Sequence, residues 1–147
     1  MNDKQQDVLA ILKLYELRRD EKMRESRVWF MTEFRPQSAM DIVKLLISGE
    51  RESANFRMIT SYWEMAASFV INGGIDEKLF LDANTEHIAV YSKLQPFLAE
   101  VRQIINEDDY YISLEKLVTS IPNIDTKLEK RRQLFEKWAE RKDKETF

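Results

Sequence analysis

Glycine and proline, the residues that most often interrupt helices and mark turns, are scarce along this chain. The 147 residues include 3 glycines and 3 prolines, whereas average usage would give about 10 and about 7. They stand at helix-sized intervals, at Pro36, Gly49, Gly73, Gly74, Pro96 and Pro122. Because a chain with few turn residues has few places to reverse direction, the sequence predicts an all-α fold.

Apolar residues recur at helical spacing between these breaks. We expect a single irregular or orthogonal bundle of about five to seven helices, forming one helical domain over residues 1–147. The first helix should be long, over about residues 4–34, because Pro36 is the first breaker. The least polar stretch, about residues 50–72, predicts a central buried helix with Trp63 in the core. The apolar phase continues through Pro96, which predicts one kinked helix there.

Composition disfavours several classes of protein. The net charge is −3, with acids and bases interspersed, so the chain has no overall attraction to nucleic acid or to an anionic membrane. The absence of cysteine excludes disulfides and thiolate metal sites. The longest nearly apolar run, residues 65–71, is shorter than the roughly 18 residues of a membrane span, and the N-terminus does not resemble a signal peptide. We therefore expect a cytoplasmic protein without membrane insertion.

Motifs for catalysis or cofactor binding are missing from the sequence. His87 is the only histidine, and we expect it to be a surface or half-buried residue in the first turn of a helix. Gly73-Gly74 lacks the later glycine or lysine of a phosphate-binding loop, and a helix end explains the pair. We expect no metal, no cofactor and no catalytic residue, and hence no enzyme. An enzyme that uses carboxylates alone is a third alternative.

The last helix is the most basic part of the sequence. Its bases are Lys127, Lys130, Arg131, Arg132, Lys137, Arg141, Lys142 and Lys144. Its acids are Asp125, Glu129, Glu136, Glu140, Asp143 and Glu145. The balance is 8 − 6 = +2, whereas phosphate binding requires a clearly basic stripe. A solvated helix with ion pairs is the preferred interpretation, and nucleic-acid binding is disfavoured.

Glu64 is the only charged residue between positions 57 and 76. A buried carboxylate without a partner would be costly. We predict a structural ion pair with Arg27 or Arg102, whose apolar neighbours should face the core. The alternatives are an exposed polar strip along the helix and a functional carboxylate.

The start of the first helix carries more apolar residues than a solvated helix needs. They are Val8, Leu9, Ile11, Leu12 and Leu14. We predict that they form a self-association surface in a two-fold homodimer. The alternative is that Phe135 and Trp138 of the last helix cover them within one chain.

Four segments carry a resemblance to a known family. They are YELRRDEKMR at 15–24, VWF at 28–30, YWEMA at 62–66 and GGID at 73–76. Over about residues 12–105 the chain resembles a family of bacterial helical proteins known only as a domain of unknown function. Many proteins of this type carry a membrane helix before the ELRR stretch, and this chain departs from that pattern. The resemblance implies a bacterial source and supplies no catalytic or binding residues.

The sequence therefore favours a non-enzymatic protein-interaction or regulatory module that works through a helical surface, with an unknown protein partner. A nucleic-acid-associated protein, including one with a role in phage response, is the alternative.

Overall fold

The structure is a computed structural model that describes the backbone of residues 3–145 and the side chains as far as Arg141. All secondary-structure elements in that range are α-helices, which confirms the predicted all-α class. There are eight: α1 (Asp3–Arg18), α2 (Glu21–Thr32), α3 (Ala39–Ile47), α4 (Arg51–Ile71), α5 (Glu77–Ala83), α6 (Glu86–Ile105), α7 (Ile112–Thr119) and α8 (Ile124–Glu145). This is one more helix than the upper end of the predicted range.

The prediction of one long first helix is wrong, because the helix is interrupted at Asp20. The Asp20 carboxylate accepts hydrogen bonds from the backbone N–H groups of Lys22 (3.1 Å) and Met23 (3.4 Å). Its backbone is outside the helical region, with φ −56° and ψ 142°. A residue that caps a helix in this way must leave the preceding helix. The first helix is therefore divided into α1 and α2.

Helix α4 lies at the centre, as predicted. It packs against α2, α3, α5 and α7, and its buried face includes Phe56, Ile59, Trp63 and Ala66. Trp63 is 1% exposed, which confirms that it belongs to the core.

Helix α6 forms the second layer of the core and packs against α3, α7 and α8. It continues through Pro96 without interruption, as the apolar phase predicted. Helix α8 also contacts α2, so α2, α6 and α8 enclose one side of the molecule. Among the described helices, none combines the length and the apolar character needed to cross a lipid bilayer.

Candidate functional site

A buried carboxylate joins four helices near the start of α6. Glu86, the first residue of α6, is 9% exposed. Its Oε1 accepts a hydrogen bond from Nε of Arg27 on α2 (2.6 Å). Its Oε2 accepts one from Nε1 of Trp63 on α4 (3.1 Å) and lies 3.5 Å from Nη2 of Arg18, the last residue of α1. We call these four residues the Glu86 cluster.

The positive charge in the Glu86 cluster exceeds the negative charge. Two guanidinium groups share one carboxylate, and a buried ion needs a partner because desolvation is costly. The guanidinium of Arg18 also lies over the Trp63 ring, 5.2 Å from its centroid, where the ring electrons offer partial compensation. Even so, Nε of Arg18 is buried and has no acceptor among the described residues.

A cavity of about 320 Å³ opens beside this cluster. Its charged lining consists of Arg18, Arg27, Glu86 and Arg131 of α8, and we call it the arginine cavity. Arg131 is half-buried and has no ion-pair partner among the described side chains. Three arginines and one glutamate give the lining a charge of 3 − 1 = +2.

His87 lies next to the cluster and is fully buried, so the expectation of a surface or half-buried histidine is wrong. Its ring centroid is 5.6 Å from that of Trp63 and 5.3 Å from that of Phe80. Neither ring nitrogen has a hydrogen-bond partner among the described residues. Burial, with a smaller effect of Arg131 and Arg18, lowers the pKa of His87 from 6.5 to about 4. The ring is therefore neutral at physiological pH.

A second, more apolar cavity of about 510 Å³ lies between the α2–α3 connection, α6 and α8. Its aromatic lining consists of Phe34, Phe97, Phe135 and Trp138, and we call it the apolar groove. Phe135 and Trp138 also line the arginine cavity. The two α8 rings thus lie between two adjoining cavities instead of covering the start of α1.

Lys93 of α6 is one of the charged residues that line the apolar groove. Its Nζ donates hydrogen bonds to the carbonyl oxygens of Phe30 (2.6 Å) and Phe34 (2.7 Å). It also lies 4.2 Å from the centroid of the Phe135 ring. Burial, assisted by the nearby Arg35, lowers the pKa of Lys93 from 10.5 to about 7. Because one carbonyl lies in the last turn of α2 and the other just after the helix, these contacts indicate a helix-capping role for this amine.

Glu64 has different partners from those predicted. Its Oε1 accepts from the backbone N–H of Leu114 (2.7 Å) and its Oε2 from that of Ser113 (3.2 Å). Neither predicted arginine is its ion-pair partner, since Arg27 pairs with Glu86 and Arg102 with Glu115. The physical reason is local: Tyr111, which precedes α7, makes no side-chain cap, and the half-buried Glu64 supplies the missing acceptor.

The predicted self-association surface is divided between the core and the solvent. Leu14 is buried, and Ile11 is half-buried and packs against the core; these two are not available to a partner. Val8, Leu9 and Leu12 are exposed, at 44%, 52% and 52%. The five apolar residues therefore form an inner and an outer set.

Sequence comparison places the chain in a family. A family model described as a domain of unknown function, DUF4760, matches residues 5–121. The chain belongs to the DUF4760 family. Within this DUF4760 protein, the Glu86 cluster lies inside the matched residues, and α8, with Arg131 and Trp138, lies beyond them. No curated protein and no solved structure matches the chain.

The described residues also bear on metal binding. Over that range, no group of three or more His, Cys, Asp or Glu side chains is arranged to hold a metal ion.

Proposed function

We propose that this DUF4760 protein is a non-enzymatic interaction or regulatory module of the bacterial cytoplasm that self-associates through α1. The exposed apolar face of α1 carries the proposal. Val8, Leu12 and Tyr15 follow one another at intervals of four and three residues, which places them on one side of the helix. Tyr15 is 53% exposed, and Leu9 extends the same surface. Contiguous exposed apolar residues are typical of protein interaction sites.

The inner face of α1 is fixed to the body of the molecule. The Tyr62 hydroxyl donates a hydrogen bond to the carbonyl oxygen of Leu14 (2.6 Å). The Asp7 carboxylate accepts one from the backbone N–H of Asp76 (2.8 Å). Because both ends of α1 are attached, its outer face is presented as a rigid surface, and binding there needs little ordering of the helix.

A second copy of the chain is the partner that this surface fits. In a two-fold dimer the same patch occurs on both subunits, so the outer apolar side chains of one α1 would cover those of the other. Charged neighbours such as Lys13 and Glu16, which pair with each other (3.4 Å), would remain at the rim.

Sedimentation equilibrium at micromolar concentration tests this proposal. We expect the wild-type protein to sediment at about twice the monomer mass of 17.5 kDa, and Leu12→Glu to sediment as a monomer because a charge cannot be buried in an apolar interface at low cost. Ile47→Glu is the control, since Ile47 of α3 is 76% exposed. A wild-type protein of 17.5 kDa alone would rule out the dimer.

The alternative, association with nucleic acid, has less support. On the described part of α8, acids alternate with the bases, and one of the bases faces the core: Arg132 donates from Nε to the carbonyl oxygen of Ser92 (3.0 Å) and also bonds Gln95. The predicted charges at 142–145 have side chains outside the described residues. A basic stripe along α8 would be needed for this alternative.

A further inference from the structure

We propose that the arginine cavity binds a phosphate group, either free or carried by a small phosphomonoester. The inference is independent of self-association through α1. The cavity receives one arginine from the end of α1, one from α2 and one from α8: Arg18, Arg27 and Arg131. Guanidinium groups suit this ligand because their planar array of donors matches the oxygens of phosphate.

The charge of the lining favours a dianion. Among the described lining residues Glu86 is the only acid, and both of its oxygens already have partners in the Glu86 cluster. The remaining charge of 3 − 1 = +2 matches a phosphomonoester, which carries about −1.5 to −2 at neutral pH. A single carboxylate would leave part of this charge uncompensated in a partly buried space.

Unused hydrogen-bond donors point to the same class of ligand. Arg131, which lines the cavity, has no ion-pair partner among the described side chains. Nε of Arg18 also lacks an acceptor among the described residues, but that atom is itself buried. The N-terminus of α6 also faces the cavity, since Thr85 and Glu86 line it. Thr85 makes no side-chain cap. The positive end of this 20-residue helix therefore adds to the attraction for an anion.

The outer wall of the cavity is aromatic. Trp138 is 46% exposed, and its ring packs edge-on against Phe135, with centroids 5.6 Å apart. A volume of about 320 Å³ is at the small end of the range for ligand pockets. A phosphomonoester with a flat ring could place its phosphate among the arginines and its ring against Trp138.

Isothermal titration calorimetry at low salt, with the full chain, tests the proposal. Adenosine monophosphate, inorganic phosphate and succinate are titrated separately into the wild-type protein, Arg131→Gln and Lys130→Gln. Arg131 lacks an ion-pair partner among the described side chains, so its replacement should leave the fold intact, which circular dichroism verifies. Lys130 is an exposed base on the same helix and outside the cavity, so its variant is the matched control for charge.

We expect both phosphate compounds to bind more tightly than succinate, and Arg131→Gln to weaken binding by about tenfold or more because a charge-assisted hydrogen bond is lost. Lys130→Gln should change the affinity by less than about twofold. Tighter binding of adenosine monophosphate than of inorganic phosphate assigns the source to a small phosphomonoester; equal affinity assigns it to free phosphate. The proposal is overturned if neither phosphate compound binds at millimolar concentration, if succinate binds as tightly, or if the two variants behave alike.

Discussion

A glutamate lies at the start of both α6 and α7, but the two carboxylates have different partners. At α7 the acid comes from another helix: Glu64 of α4 accepts two backbone N–H groups. At α6 the acid is the first residue of the helix itself, and Glu86 turns away from the backbone to bind Arg27 and Trp63. The first arrangement gives the backbone N–H groups of Ser113 and Leu114 a carboxylate acceptor each. The second concentrates guanidinium groups in one place, and this difference separates a structural cap from a candidate binding site.

Electrostatics at Glu64 agree with a capping role. Burial raises the pKa of Glu64, and the backbone N–H groups of Leu114 and Ser113 oppose that rise. Arg102 contributes a smaller opposing effect, although its ion pair is with Glu115. Hydrogen bonds to the ionised form favour that form, so the contacts that complete α7 offset part of the effect of burial on the pKa of Glu64.

We expect the largest loss of stability when the charge of Glu86 is removed. In Glu86→Gln, the guanidinium groups of Arg18 and Arg27 lose the one acid among the described lining residues of the cavity, and we expect the free energy of unfolding to fall by about 3–5 kcal/mol. Urea denaturation measures the change. The control is Glu129→Gln, which removes an exposed ion pair with Arg132 and should cost less than about 1 kcal/mol. Equal effects of the two variants would show that the cluster carries no special stability.

We expect a second loss of stability at low pH, caused by His87, the neighbour of Glu86. The pKa of His87 is about 4 in the folded protein and 6.5 as the ordinary value. Between these values the unfolded chain binds a proton and the folded chain does not, so stability falls as the pH falls. A shift of this size corresponds to about 3 kcal/mol, present in full above pH 6.5 and lost as the pH approaches 4.

Urea melts of the wild type and of His87→Leu between pH 7 and pH 4 measure this effect. The variant should lack the part of the pH dependence that His87 causes. Parallel stability curves for the two proteins would show that the buried ring does not titrate in this window.

The smallest expected loss of stability is at the start of α7. Glu64→Gln keeps one acceptor oxygen and loses the negative charge at the helix start, so we expect a loss of about 1 kcal/mol. Amide hydrogen exchange at Leu114 should accelerate in the variant. Exchange at a buried amide of α4, such as that of Ile59, should change only by the amount that the change in global stability accounts for. If Glu64→Gln proves as costly as Glu86→Gln, the two helix starts do not differ as described.

Most of the helical fold could be predicted from the sequence because it depends on local patterns. The central helix, the core position of Trp63 and the continuity of α6 all follow from apolar spacing. The break at Asp20 does not, because an acid followed four residues later by Arg24 fits an ion pair within a helix as well as a cap.

The site was harder to predict because its contacts are long-range. The apolar residues around Glu64 predict a carboxylate that needs a partner, but its partners are backbone N–H groups, which have no sequence signature. The sequence does not indicate that Glu86 is buried and binds arginines, because acids are common in the first turn of a helix. The burial of His87 depends on Trp63 and Phe80, which are brought to it by tertiary packing. No spacing in the sequence indicated that Arg131 would join Arg18 and Arg27.

The Glu86 cluster also implies an order of folding events. The bond between Trp63 and Glu86 closes a separation of 23 residues, and the bond between Arg27 and Glu86 closes one of 59. Loop-closure entropy rises with separation, and long-range contacts slow folding. We therefore expect the bond between Trp63 and Glu86 to form before the bond between Arg27 and Glu86, so that one carboxylate takes part in both an earlier and a later contact of the folding chain.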